Sequence, residues 1–367
     1  MIELQPLRGG RTGPPAVRVS PSGASHLDRR RSPVSRPLIA LFLLAAVLTG
    51  CTSAPTAPTA PPPPVSTPVA PIGERVTAAD IQPHLAALQR IADEHGGNRA
   101  SPGPGYQASV DYVAGILREA GFEVTTPSYP VEDDDGDRAT ARNVIAQTRT
   151  GNPERVVLIG AHLDSVREGP GINDNGSGVG ALLEIARRMG GSPDVANMVR
   201  FAFWGHEEEH YEGSRAYVAG LSRRERNAIM IYLNVDMIAS PNGGYFVHGD
   251  GSDGSPASPA SNTAVQVLLG ELAATGVTAE RVEIDGGSDF VAFVRAGIPS
   301  AGVFAGDEEE KTRRQAQLWG GEAGTVFDRC YHQSCDRTDN IDPVMMERFA
   351  TALGGTIAYF ATVHTGG

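Results

Sequence analysis

Residues 156–210 read VVLIGAHLDSVREGPGINDNGSGVGALLEIARRMGGSPDVANMVRFAFWGHEEEH. Residues 156–159 form a short unbroken apolar run, as in a strand covered on both faces. Residues 179–189 then carry apolar side chains at helical spacing, and residues 199–204 form a second apolar strand core. Strands alternating with helices imply an α/β fold with a mostly parallel sheet flanked by helices on both faces.

The same alternation extends in both directions. Ile81, Leu85, Leu88 and Ile91 recur at helical spacing, as do Val110, Val113 and Leu117. Gly121 fits a helix C-cap before a short strand over 122–126, and the acidic run 132–137 reads as a solvated hairpin loop. Further apolar strand cores fall at 143–146, 231–235 and 300–304, with helices over 263–274 and 343–363. Asp342 before Pro343 supplies an N-cap followed by proline at the first helical position. No internal repeat is visible, and residues 74–367 read as one domain.

The front of the chain reads differently. Arg29, Arg30, Arg31 and Arg36 precede an apolar run over 38–48, the pattern of an export signal and too short for a transmembrane helix. The run ends in Leu48-Thr49-Gly50-Cys51, which resembles the lipobox of bacterial lipoproteins, where the cysteine is lipidated. Ordinary cleavage that leaves Cys51 as an unused thiol is the alternative. Residues 52–72 are rich in Pro, Thr and Ala, including Pro61–Pro64 in a row, so this segment reads as an extended tether. The expected organisation is an export signal over 1–50, a tether over 51–73 and a folded domain over 74–367.

Lys and Arg number 31 against 43 Asp and Glu, a net charge of −12, and seven of the arginines lie within 1–50. The remainder is therefore more acidic still, which argues against nucleic acid or an anionic membrane as the working partner. A hydrophobic fraction of 40% suffices for one sizeable core.

In open α/β sheets the working site lies beyond the carboxyl ends of the strands. After 156–159 come Gly160-Ala161-His162-Leu163-Asp164, where residues two apart share a face, so Asp164 can stand beside His162 and orient it. Then Asn173-Asp174-Asn175-Gly176-Ser177-Gly178 opens a helix, either as a capped turn or with Asp174 free to bridge two metal ions. After 199–204 come Gly205-His206-Glu207-Glu208-Glu209-His210, where adjacent acids diverge, so that one can bind metal while the other faces a water. Asp236 follows the apolar strand 231–235. His332 lies beside Tyr331 between Cys330 and Cys335, a close pair that in an exported chain reads as a disulfide rather than a metal site. Together these residues form a ligand set suited to zinc. His206 to His210 also matches H-E-x-x-H, but that motif needs a helix, and here it follows a strand and a glycine. The expectation is that His206 and His210 are exposed loop histidines.

On these residues the chain resembles the secreted bacterial dizinc aminopeptidases of the streptomycete leucine-aminopeptidase type. The resemblance spans nearly all of 74–367 and is carried by GGNRA (96–100), GYQASVDYV (105–113), GAHLDSV (160–166), GINDNGSG (171–178), YLNVDMI (232–238), QAQLWGG (315–321) and FDRCYHQSCD (327–336). It implies a zinc-exopeptidase fold and two zinc ions, with His162 and Asp236 on one, Glu208 and His332 on the other, and Asp174 bridging. It further implies Glu207 as general base acting on a zinc-bridged water, Asp164 behind His162, and Tyr331 as an oxyanion-stabilising phenol. Met237 and Phe304 would line the pocket for the first side chain, with large apolar first residues preferred. Expected partners are peptides with a free N-terminus, with no nucleic acid, a membrane only through the lipid anchor, and a monomeric chain.

Two features depart from the family. Gly287-Ser288-Asp289-Phe290 stands where the family carries Arg before Ser-Asp-His, and the acidic stretch 307–310 stands where its loop is near neutral. That stretch reads as a solvated loop, with the drawing of basic residues into the pocket as the alternative. Three rival functions share the fold: removal of C-terminal residues, cyclisation of N-terminal glutamine, and non-catalytic binding at the cell surface. A C-terminal cutter would need basic residues near the metal, and no Arg cluster adjoins the motifs.

Overall fold

Alternating side chains from the central strands build two cores. Val157, Ile159 and Ala161 pack into one and Val156 and Leu158 into the other, so the sheet is buried on both faces. This is a computed structural model, and it describes residues 75–133, 136–249, 258–284 and 286–363. The export signal, the tether and Cys51 lie outside the described residues.

In chain order the elements are α1 (Ala78–Glu94), α2 (Pro104–Glu119), β1 (Glu123–Thr125), β2 (Ser128–Glu132), β3 (Arg138–Arg142), β4 (Val144–Gln147) and β5 (Asn152–His162). A tight irregular turn (Ile172–Ser177) leads into α3 (Gly178–Met189), followed by β6 (Asn197–Trp204), α4 (Glu212–Gly220), α5 (Arg223–Ala228), β7 (Ile229–Val235) and β8 (Phe246–Gly249). The chain continues through α6 (Pro259–Ala274), β9 (Glu280–Glu283), α7 (Phe290–Arg295), β10 (Ser300–Phe304), α8 (Arg313–Trp319) and α9 (Pro343–Thr362).

Eight strands form one sheet in the order β1-β4-β6-β5-β7-β10-β8-β9, and β2 pairs with β3 in a separate hairpin. Strands β6, β5, β7 and β10 are mutually parallel, whereas β4 pairs antiparallel with β6, and β8 with β10. The sheet is thus mixed, with a parallel centre. Helices α1, α2, α3, α6 and α9 cover one face, and α4, α5 and α7 the other. From β5 the chain moves to β6 on one side and then across to β7 on the other. That reversal makes a crevice at the carboxyl ends of β5, β6 and β7.

Helices α3 and α9 begin within a residue of where the sequence predicts, whereas α6 begins at Pro259, four residues before its expected start. Asp342 accepts from the backbone N–H groups of Val344 and Met345 at 2.9 and 3.0 Å, with Pro343 behind it. Gly121, at φ +88°, turns the chain out of α2 into β1. Strands β8 (FVHG) and β9 (ERVE) go beyond the sequence-based expectation, since neither forms an unbroken apolar run. Among the described residues no helix is long and apolar enough to cross a membrane.

Candidate active site

Each parallel strand carries functional residues past its carboxyl end. His162 is the last residue of β5, with its side chain 2% exposed. Gly205 follows β6 in close contact with the rest of the fold, where an added Cβ would collide with the Tyr106 hydroxyl, and the chain then turns to present Glu207 and Glu208. Asp236 and Met237 follow β7, and Asp307 comes three residues after the end of β10. Met237, at φ +42°, and His332, at φ +56°, adopt the left-handed region that side chains rarely occupy, as is common at working sites.

These residues converge. His162 Nε2 lies 3.1 Å from Asp174 Oδ1 and 3.3 Å from Asp236 Oδ1. His332 Nε2 lies 3.0 Å from Glu208 Oε2 and 3.3 Å from Asp174 Oδ2. Asp174 therefore turns one carboxylate oxygen to each imidazole. Two sets of side chains bring potential ligand atoms within 4.8 Å of one another: His162, Asp174 and Glu208, and His162, Glu207 and Asp236. Asp164 stands behind both histidine and acid, with Oδ1 3.6 Å from His162 Nδ1 and Oδ2 accepting the Glu207 backbone N–H at 3.0 Å.

The disulfide Cys330–Cys335 closes the loop that carries Tyr331 and His332. The Tyr331 ring stacks on His332 with centroids 3.9 Å apart. Asp336, just after the bridge, accepts the backbone N–H groups of Asn173 and Asp174 at 2.7 and 3.0 Å, tying the loop to the Asp174 turn. Asn173 adds a bond to Asp328 at 2.7 Å. Asn175 ties the other side of that turn to β7, donating to Val235 O at 2.8 Å and accepting from Met237 N at 3.2 Å.

The charge balance is lopsided. Asp164, Asp174, Glu207, Glu208, Asp236 and Asp289 crowd around two imidazoles. Burial raises Glu207 well above the ordinary carboxyl range, despite His162, and the neighbouring acids Asp289, Asp236 and Glu208 push it the same way. Burial, then Asp174, pushes Glu208 up to about 7, and burial takes Asp289 to about 8. Burial would lower His332, but Asp174 and Glu208 outweigh it and raise the imidazole to about 10. Glu208 Oε1 and Asp236 Oδ1 are buried with no hydrogen-bond partner. Such a set is best satisfied by multivalent cations, since buried charges are either paired or bound to metal.

Several positions differ from expectation. His206 is buried, not exposed, with Nδ1 3.0 Å from Ser101 O, because the turn after β6 folds it against the loop between α1 and α2. His210 is exposed, and the stretch between the two is a turn, so they do not form a helical metal pair. The stretch 307–310 divides: positions 308–310 are exposed, whereas Asp307 is half-buried and lines the cleft.

Other supporting residues were not predicted. Ser288 donates to Asp236 Oδ2 at 2.6 Å, and His248 and Phe290 line the cleft with Met237 and Phe304. Arg99 is fully buried and donates to the carbonyls of Leu163, Pro170 (2.9 Å) and Gly171 (2.6 Å), which clamps the segment between His162 and Asp174. The one sequence signal for Arg99 was its place in GGNRA, since a buried arginine has no periodicity of its own.

The model of peptidase family M28 matches residues 143–357. The leupeptin-inactivating enzyme 1 of Streptomyces exfoliatus is 41% identical over 328 residues, 88% of this chain and 70% of that protein. The "Probable lipoprotein aminopeptidase LpqL" of Mycobacterium tuberculosis is 46% identical over 241 residues, 63% of this chain and 48% of that protein. The chain thus spans about half of that relative's length. Among solved structures, a zinc aminopeptidase from Bacillus subtilis shares the fold at a TM-score of 0.63, with 16% identity over 77% of this chain and 94% of that chain.

Proposed function

Because the chain belongs to peptidase family M28, we propose that it is a zinc-dependent aminopeptidase that binds two zinc ions and releases the first residue of a peptide. The observation that carries this reading is the split carboxylate of Asp174, with one oxygen toward His162 and the other toward His332. His162 and Asp236 would hold one ion, Glu208 and His332 the other, and Asp174 would offer one carboxylate oxygen to each. The donor set fits zinc, being imidazole nitrogen and carboxylate oxygen with two buried carboxylate oxygens otherwise unsatisfied. Bound zinc supplies Lewis-acid polarisation of the scissile carbonyl and lowers the pKa of water.

The protein's own groups do the rest. Glu207 takes a proton from the attacking water and later delivers it to the departing amine. Its burial among other acids raises its affinity for a proton, which suits it to accept one from water. Asp164 holds the Glu207 backbone and backs His162, which keeps base and ligand in register. Burial and the nearby acids keep the Tyr331 phenol protonated, so it can donate a hydrogen bond to the oxyanion. Glu207 and Asp236 present negative charge to the free α-amino group. Met237 and Phe304 give the first side chain an apolar wall in the cleft.

The chain is exported. Residues 1–50 act as the signal, Cys51 carries the lipid, residues 51–73 form the tether, and the domain over 74–367 works as a monomer at the cell surface. The name of the mycobacterial relative supports the lipoprotein part of this reading.

The test is a zinc titration of metal-stripped protein with leucine p-nitroanilide, against its N-acetylated form and a peptide bearing N-terminal glutamine. Activity should plateau near two equivalents and vanish on the acetylated substrate. A plateau at one equivalent would refute the paired site. Cyclisation without hydrolysis would transfer the reading to a glutaminyl cyclase.

A further inference from the structure

Asp307 stands where two cavities meet. The cleft over the proposed metal ligands and a second cavity share Phe304, His248 and Asp307, and the second contains none of those ligands. It continues toward Phe246 and Phe327, with Glu283 and Glu309 among its walls. Among the described residues no Lys or Arg lines either cavity.

The shared walls are aromatic. The His248 ring lies 5.2 Å from Phe290 and 5.7 Å from Phe304. Asp307 Oδ1 accepts the Glu309 backbone N–H at 3.2 Å. Burial raises its pKa, and the charged neighbours that act on it are Glu309 and Glu308, with no cation among them. A half-buried carboxylate whose leading charged neighbours among the described residues are acids is a costly feature unless a ligand brings the missing charge.

A first residue such as leucine would leave that carboxylate unpaired and further desolvated. Lysine or arginine would lay its methylene stem along Phe304 and Phe290, as long cationic side chains do on apolar surface, and reach Asp307 with its charged end. We infer that the pocket selects peptides beginning with lysine or arginine, and that Asp307 is the residue that reads the charge. This rests on the aminopeptidase reading, and it replaces the sequence-based expectation of a preference for large apolar first residues.

The comparison that isolates charge is lysine against norleucine, which has the same stem without the ammonium group. In the zinc-loaded full chain, kcat/KM for lysine p-nitroanilide should exceed that for norleucine p-nitroanilide by about fivefold, the upper end for one partly exposed ion pair. Asp307→Asn preserves the shape and should collapse that ratio toward one, whereas Glu308→Gln, on the exposed part of the loop, should leave it unchanged. A wild-type ratio at or below one, or a ratio that Asp307→Asn does not move, overturns the inference. Calorimetric binding of free lysine and norleucine separates it from the parent reading. Protein that binds lysine preferentially but hydrolyses neither substrate upholds the pocket and sinks the peptidase. Hydrolysis of both with equal binding does the reverse.

Discussion

His162, Glu207 and Asp236 stand at or just past the carboxyl ends of β5, β6 and β7, and Asp174 sits on a turn bonded to the same strands. Tyr331 and His332 stand in an irregular loop with no strand behind it, and the His332 side chain is 38% exposed. The first group takes its geometry from the sheet, whose register is fixed by two packed cores. The second takes it from a disulfide and from the bonds of Asp328 and Asp336 to the Asp174 turn. The proposed two-metal site would thus be assembled from a rigid half and a stapled half, and damage to each should look different.

The largest effect belongs to the shared residue. Asp174→Ala should release both zinc ions, measured by metal analysis after dialysis, and leave no measurable turnover. Retention of both ions would break the bridge assignment. Glu207→Gln comes next. It should keep both ions yet lose about 10²–10⁴ in kcat, the usual contribution of a positioned general base. Full activity in that variant would remove Glu207 from the reaction.

The stapled half should fail more gently. In the Cys330→Ser/Cys335→Ser double variant, one zinc should remain with the sheet-borne ligands while the ion held by His332 becomes exchangeable. Closing so short a loop contributes about 2 kcal/mol of stability, so far-UV circular dichroism should be unchanged and the melting temperature only slightly lower. Loss of both ions, or of the fold, would show that the two halves are not separable.

The smallest effect concerns pH. In the metal-free protein Glu208 is raised to about 7 and Asp289 to about 8, so both keep protons that the unfolded chain has released above its ordinary carboxyl range near pH 4. The folded state then binds more protons than the unfolded one, and stability falls as pH rises from about 4 to 8. His332, raised to about 10, acts in the same direction, because its contribution is full below the unfolded imidazole value and is lost as pH climbs through 10. Melting temperature against pH should slope downward in chelator and flatten with zinc. An upward slope in chelator would contradict the charge crowding.

Much of the site was legible in the chain because strand ends leave a written mark. An apolar run that stops at a His, Asp or Glu identifies both the element and the side chain at its mouth, and His162, Glu207, Glu208 and Asp236 were all readable in that way. Asp174 and His332 carry no such mark. They were proposed on their chemistry and on the family resemblance, and the bonds of Asp336 to Asn173 and Asp174 are the physical reason they meet.

What the sequence by itself determined is the class of fold and the kind of chemistry, since periodicity and residue type are local properties. Only the tertiary structure decided which of the available groups face one another. It buried His206, a surface loop histidine by its motif, against the loop between α1 and α2. It also drew Asp307 out of an acidic run into a junction of two cavities and left its neighbours in solvent. Adjacent residues in a loop share composition but not direction, and direction is set by what the rest of the chain packs against them.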